Sequence, residues 1–294
     1  MDWNNFKTSH LLAPVGKSIF SLNFDTNRWD WSQLWNPYSF KWTVGVTPMS
    51  DLGIIVWTWA IYFTTILSLK FIMRNREPMK LLYITAIHNL FLCFGSLGMF
   101  IAGGIAIYET IRLHNDPSDI FCSIHADTSV GMMPWALYIY YLSKFPELLD
   151  TVILVLKKKN VIFLHWYHHA IVMLMVWTWI ESKITVSIFG LMLNTGIHVL
   201  MYWYYTASSF GWNVWYKKYI TKAQIIQFVL SFIVLLPFAY YGTVKNCEGW
   251  DYLYFSMIVN FSFLVLFCNF YLNAYKKKAP AKGGDLKKNS AKAK

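Results

Sequence analysis

Apolar and polar positions along the chain sort into seven long apolar stretches joined by short polar links. The stretches lie near residues 53–73, 81–107, 132–156, 161–180, 185–206, 223–242 and 252–275. At 1.5 Å per helical residue, each is long enough to cross about 30 Å of hydrocarbon. The pattern predicts an all-α fold: a polytopic membrane protein with seven transmembrane helices. It also divides the chain into an N-terminal segment (1–50), a membrane domain (51–275) and a tail (276–294).

The polar residues inside the stretches are few and ordered. The fourth carries V-I-F-L-H-W-Y-H-H-A at 161–170, and the i, i+3, i+4 spacing puts His165, His168 and His169 on one helix face. The third carries K-F-P-E-L-L-D-T. An ionisable group at the centre of a membrane helix costs roughly 2.5–3.5 kcal/mol, so Lys144, Glu147 and Asp150 need a reason to be there. An internal Lys144–Glu147 pair that fixes packing is one; a functional site is the other. Pro146 should free a backbone carbonyl and kink the helix. In the fifth stretch Asn194, His198 and Tyr202 recur at i, i+4 and i+8 as a single stripe. His88 and Asn89 in the second stretch, and Gln224 and Gln227 at the start of the sixth, lie at a similar depth. Taken singly, His88 reads as a packed core residue and Tyr202–Tyr205 as an interfacial aromatic belt. Five helices nevertheless offer polar side chains to one half of the bilayer.

Composition agrees. The 294 residues are 56% hydrophobic, 19% aromatic and 14% charged, against about 25% charged in soluble proteins. The net charge of +11 is unevenly placed. Arg74, Arg76 and Lys80, then Lys157–Lys159, then Lys217, Lys218 and Lys222, and finally eight lysines after Tyr275 fall in alternate links and the tail. By the positive-inside rule these are cytosolic, with the C-terminus cytosolic and the N-terminus opposite. The polar cluster then opens toward the cytosol, and nucleic acid is not an expected partner. Residues 1–50 lack the apolar core of a cleavable signal. Their tryptophans (Trp3, Trp29, Trp31, Trp35, Trp42) suit a non-cytosolic interfacial segment. The Lys-rich tail should be disordered. Cys122 and Cys247 fall in links on the non-cytosolic side, where an oxidising lumen would let them pair; Cys93 reads as an apolar filler. The triplet at Asn260 lies inside the seventh stretch and should not be glycosylated.

Three chemistries fit these residues. Clustered imidazoles ligate iron or zinc, as in histidine-box membrane oxygenases. His10, His114 and His125 lie on the far side, which leaves His88, His165, His168, His169 and His198 for any metal. Alternatively, an imidazole accepts an acyl group from a thioester, with Glu147 or Asp150 orienting a ring and Asn194, Gln224 or a tyrosine stabilising an oxyanion. Third, seven spans and intramembrane charge also describe receptors and transporters.

Four boxes narrow the choice. K-F-P-E-L-L-D-T at 144–151, H-W-Y-H-H at 165–169, N-T-G-I-H-V-L-M-Y-W-Y-Y at 194–205 and T-K-A-Q-I-I-Q at 221–227 stand in that order. The chain between about 50 and 275 resembles the ELO family, elongases of very-long-chain fatty acids. L-F-C-N-F-Y-L-N-A-Y at 266–275 is similar to the family's last span, and F-L-H-W-Y-H-H to the branch acting on saturated and monounsaturated chains. The resemblance implies a 3-oxoacyl-CoA synthase of the endoplasmic reticulum membrane, with six of seven helices around an acyl-chain tunnel. Its substrates would be a long-chain acyl-CoA and malonyl-CoA, with no metal or other cofactor. Its partners would be the bilayer, the other enzymes of the elongation cycle and a second copy of the chain. It makes His168 the acyl-accepting nucleophile, with His198, His165 and His169 beside it and Lys144, Glu147 and Asp150 in support. Thr151, Asn194, Tyr202, Gln224 and Gln227 would meet substrate, and Lys157, Lys158, Lys217 and Lys218 the CoA phosphates. A family disulfide would correspond to Cys122–Cys247. The ending S-A-K-A-K departs from the family's dilysine retrieval signal, with Ala291 in place of a lysine.

Overall fold

The structure, a computed structural model, describes residues 26–122, 130–245, 247 and 249–275. Trp3, His10, His125 and the expected disordered tail lie outside these residues, and the side chain of His114 is likewise not described. The described chain is carried by α1 (Leu52–Met73), α2 (Leu82–His114), α3 (Met132–Glu147), α4 (Leu149–Leu156), α5 (Phe163–Glu181), α6 (Ser187–Ser209), α7 (Lys217–Lys245) and α8 (Trp250–Tyr275). Short 3₁₀ turns at Thr26–Arg28, Trp31–Trp35 and Pro117–Ile120 join them.

The third apolar stretch is not one helix. Pro146 has no N–H for the Leu142 carbonyl, so the ladder lapses there. The Leu148 N–H turns back to the Phe145 carbonyl at 3.2 Å, and the Thr151 N–H to that of Leu148 at 3.2 Å. The rod therefore divides into α3 and α4 just where its acidic residues sit.

Four helices, α1, α2, α7 and α8, are long and apolar enough to cross a membrane. The others fall short for two reasons. Lengths of 16 and 8 residues limit α3 and α4. In α5 and α6 the histidines and Asn194 dilute the hydropathy, so the helices that carry the polar stripe are the ones with the weaker apolar signal. The outward faces nonetheless present Leu67, Phe71, Ile87, Phe91, Leu236 and Ile258 to the surroundings, which fits a membrane protein and not a water-facing one.

Helix contacts close into a circuit. α2 lies along α6, α6 against α7, α7 against α8, α8 against α5, α5 against α3, and α3 against α2. α1 stands outside it, packed on α4. Inside the circuit the core is aromatic, with Tyr138, Tyr140, Tyr141, Phe238 and Phe263 almost wholly buried.

One end of the bundle is capped by residues 26–51. Tyr138 Oη donates to the Pro48 carbonyl (3.1 Å), Tyr141 Oη to Met49 (2.8 Å) and Trp177 Nε1 to Ser50 (2.6 Å). Trp42 is buried, and its Nε1 donates to Glu181 Oε2 at 2.8 Å. Of the tryptophans expected at an interface, Trp31 and Trp35 are exposed, whereas Trp42 is part of the core. Nearby, a disulfide joins Cys122 to Cys247 across a Cα–Cα distance of 6.0 Å, tying the α2–α3 link to the α7–α8 link. Lys245 Nζ donates to Asp116 (2.8 Å) and Asp119 (2.9 Å) across the same two links. The hydrogen bonds from Lys245 and Ser118 hold the Asp116 carboxyl well below the usual carboxylate range.

Candidate functional site

The opposite end carries the basic links, which meet there: Met79 N–H bonds the Leu156 carbonyl (3.0 Å) and Lys158 Nζ the Arg74 carbonyl (3.3 Å). From this end a cavity of about 1030 Å³ runs into the circuit. His165, His168, His169 and His198 all line it, as do Asp150 and Tyr202. Beyond it lies a second, apolar cavity of about 770 Å³, bounded by residues such as Val172, Phe228, Val234 and Leu253. Three side chains, His168, Asn194 and Gln227, line both. They mark the place where the two cavities meet.

Helical spacing produces this convergence. On α5 the i, i+4 pair His165 and His169 brings its rings to 4.5 Å between centroids, and His168 stands 5.5 Å from His169 with its ring turned 89°. The far face of His168 packs on Phe263 of α8 at 5.1 Å. On α6, His198 and Tyr202 stack edgewise at 5.3 Å.

Behind the lining stands a shell of fixed partners. His165 Nε2 bonds Thr151 Oγ1 (2.9 Å), which bonds Tyr62 Oη of α1 (2.7 Å). Asp150 receives His88 Nε2 on one oxygen (2.8 Å) and Tyr202 Oη on the other (3.0 Å). Lys144 Nζ and Glu147 Oε1 form an ion pair at 2.6 Å, each 2% exposed, and Ser143 donates to the same oxygen at 3.1 Å. His198 Nδ1 lies 4.0 Å from that oxygen. Glu147 Oε2 and Gln227 Oε1 are buried without a hydrogen-bond partner. Tyr140 Oη donates to Asn194 Oδ1 (2.8 Å), which leaves the Asn194 amide N–H₂ for the cavities.

Several sequence expectations change in this light. Thr151, expected to meet substrate, is fully buried, with its hydroxyl spent on His165 and Tyr62, and it lines neither cavity. Asp150 orients no histidine of the H-W-Y-H-H box; it is held by His88 and Tyr202 instead. His88 is the packed, hydrogen-bonded residue expected of it, with Asp150 as its partner, whereas the buried Tyr202 is no belt residue. Lys157 reaches toward Thr85 (3.5 Å) and Lys158 to a backbone carbonyl, so neither points into the cavity. Lys218 sits 6.0 Å over the Tyr271 ring, and of the four lysines Lys217 alone lines the mouth. Lys144 and Glu147 stand behind the histidines and line neither cavity. Cys93 is buried with its thiol on the Val199 carbonyl, as a filler would be, and Asn260 is buried with its amide on Phe228. Tyr62 and Tyr140 escaped the sequence reading because a tyrosine in an apolar stretch carries no signal of its partner. Among the described residues, no three His, Cys, Asp or Glu side chains converge as a metal-binding group.

Comparison with known proteins places this geometry in context. The model of the ELO family (GNS1/SUR4 family) matches residues 47–283. The chain belongs to that family. Fatty acid elongase A of Dictyostelium discoideum is 36% identical over 249 residues, covering 83% of this chain and 90% of its own. Another protein of that organism, named provisionally as a fatty acid elongase, is 41% identical over 266 residues and 88% of each chain. Very long chain fatty acid elongase 5 of the fish Tachysurus fulvidraco is 35% identical over 75% of each.

Proposed function

We propose that the protein is a condensing enzyme of fatty acid elongation, a 3-oxoacyl-CoA synthase that joins a long-chain acyl-CoA to malonyl-CoA. The observation that carries this reading is the position of His168, which faces a polar cavity at the basic end and an apolar cavity beyond. A fatty acyl-CoA has the same division: a charged, polar carrier and an apolar chain, joined at the thioester. The relatives named as elongases support the same substrate class.

In this reading seven spans cross the endoplasmic reticulum membrane, with the basic end and the C-terminus cytosolic. A His168 ring nitrogen attacks the thioester carbonyl, the C–S bond breaks, and CoA leaves as the thiol after taking the proton released from the imidazole. Malonyl-CoA then loses CO₂, and its enolate carbon attacks the acyl-imidazole. A C–C bond forms, the C–N bond breaks, and the departing ring nitrogen takes a proton from water at the open mouth, which returns His168 to its starting state. Asn194 N–H₂ is the donor placed for the carbonyl oxygen as it gains charge. Glu147, held by Lys144, lies 4.0 Å from His198 Nδ1 and orients that ring. Lys217 at the mouth meets CoA phosphate. The metal-oxygenase reading has less support, because the rings are tied to Thr151 or stacked on neighbours and do not converge.

The test is intact mass after incubation with saturated acyl-CoA substrates of increasing chain length, each alone, in the presence of a chelator. Wild type should gain one acyl group, His168→Ala should not, and malonyl-CoA should discharge the adduct. Condensation without an adduct would exclude the histidine nucleophile. Neither adduct nor condensation over a range of chain lengths would return the transporter and metal readings.

A further inference from the structure

Away from His168 along α5, the apolar cavity is lined by Trp179, Ile184 and Val186. Trp179 is held from several sides. Its Nε1 donates to Ser256 Oγ of α8 (2.8 Å), and its ring stacks on Tyr140 of α3 at 6.5 Å and 16°. Its far edge lies over Gly190 of α6, where an added Cβ would come within 2.7 Å of Cη2. Ile184 is backed by Gly249 in the same way: a Cβ there would meet Ile184 Cγ1 at 2.8 Å, and the glycine has a φ of +93°.

On the other side of this wall is a small gap lined by Met133, Pro134, Leu137 and Ile180, with Trp179 and Ile184 shared between the two. The indole thus has its cavity face on one side and loosely filled space on the other. Eleven residues of α5 separate His168 from Trp179, a rise of about 16 Å. An extended alkyl chain, with bonds of about 1.5 Å meeting at about 111°, advances about 1.25 Å per bond, so about thirteen bonds fit.

We infer that Trp179, seated on Gly190, sets the longest acyl chain this protein accepts. The inference rests on the elongase reading above and deepens it. A chain that fits without touching the indole gains the full apolar contact; the next longer one must displace a ring fixed at its nitrogen, face and edge. Discrimination by one methylene in an apolar pocket amounts to about 10–200-fold in kcat/KM, enough for a clear upper limit. Gly190 matters because any side chain there takes space at that end and pushes the ring.

The experiment is elongation by the full-length purified protein with malonyl-CoA and a ladder of saturated acyl-CoA substrates, for wild type, Trp179→Leu, Trp179→Ala and Gly190→Ala. The Trp179 variants should raise the upper limit by about one two-carbon step or more and Gly190→Ala should lower it, read within each variant as the ratio of rates on long and short substrates. Opposite shifts from two residues in contact are not what a packing defect gives, since that would depress all chain lengths alike. An unchanged limit in the active variants, or shifts in one direction, would overturn the inference while leaving the elongase reading intact. If the Trp179 variants do not fold, Gly190→Ala decides alone: a lowered limit supports the inference and an unchanged one overturns it. A wild type that elongates no acyl-CoA would overturn the elongase reading itself, and this inference with it.

Discussion

The two cavities that meet at His168 contain similar kinds of polar residue but treat them in opposite ways. In the polar cavity the lining groups are held from behind by other side chains: His165 by Thr151 and Tyr62, Asp150 by His88, Asn194 by Tyr140. In the apolar cavity, Ser231 and Asn260 turn to backbone, as does the Ser256 hydroxyl while it accepts from Trp179 Nε1. Ser231 donates to the Gln227 carbonyl, Ser256 to Tyr252 and Asn260 to Phe228. A hydroxyl satisfied by its own helix shows the cavity mostly carbon. A lining residue therefore becomes functional when a second side chain fixes it with a free atom facing inward, and composition alone does not reveal this.

That contrast can be broken most severely at the shared residue. His168→Ala should lower kcat for condensation by about 10³-fold or more, measured with the same protein and both substrates; retained activity would remove His168 from the reaction. Next is Glu147→Ala. It leaves the Lys144 ammonium buried without its partner, and loss of one member of such a pair costs about 3–5 kcal/mol. Thermal unfolding in detergent should show a large fall, and an unchanged midpoint would mean the pair is not buried in the working protein. Asn194→Ala should reduce kcat by about 10²-fold with little change in KM, whereas Ser231→Ala, whose hydroxyl is spent on backbone, should leave both near wild type. An equal effect from the two would erase the distinction drawn above.

Smaller effects test the mouth and the far end. Lys217→Ala should raise KM for acyl-CoA several-fold more at low than at high salt, while Lys158→Ala, engaged with the Arg74 carbonyl, should not. At the capped end the Asp116 carboxyl is held low by Lys245. Its contribution to stability is present above the ordinary carboxylate pKa and fades as pH falls through the lowered one. Asp116→Asn should therefore destabilise the protein at neutral pH and flatten the acid limb of its stability curve. This should be the smallest change, because the disulfide still joins the same two links.

The stripes on α5 and α6 were legible in the sequence because helical periodicity alone puts His165, His168 and His169, and Asn194, His198 and Tyr202, on common faces. The ordered boxes extended that to the family, which the comparisons bear out. The break at Leu148 was foreshadowed by Pro146, since a missing N–H is a local property. What periodicity could not show was partnership between helices. His88 with Asp150, Tyr62 with Thr151 and Tyr140 with Asn194 are 62, 89 and 54 residues apart, and each depends on the register of two rods. The lysines illustrate the opposite failure. Lys157, Lys158, Lys217 and Lys218 are equivalent by charge, but only the start of α7 brings one of them to the cavity.

The cap over the apolar end has a consequence for how the chain is made. Trp177 and Trp42 find their partners across 127 and 139 residues of sequence. The segment that seals the bundle is therefore synthesised early, yet its anchors on α5 do not exist until more than half the chain has been made. Until then residues 26–51 have only their contacts with α3, through Tyr138 and Tyr141. Closure is a late step built from early residues. A ribosome that pauses before α5 would leave this segment without its Trp177 and Glu181 contacts, and protease should cut it more readily then than in the finished protein.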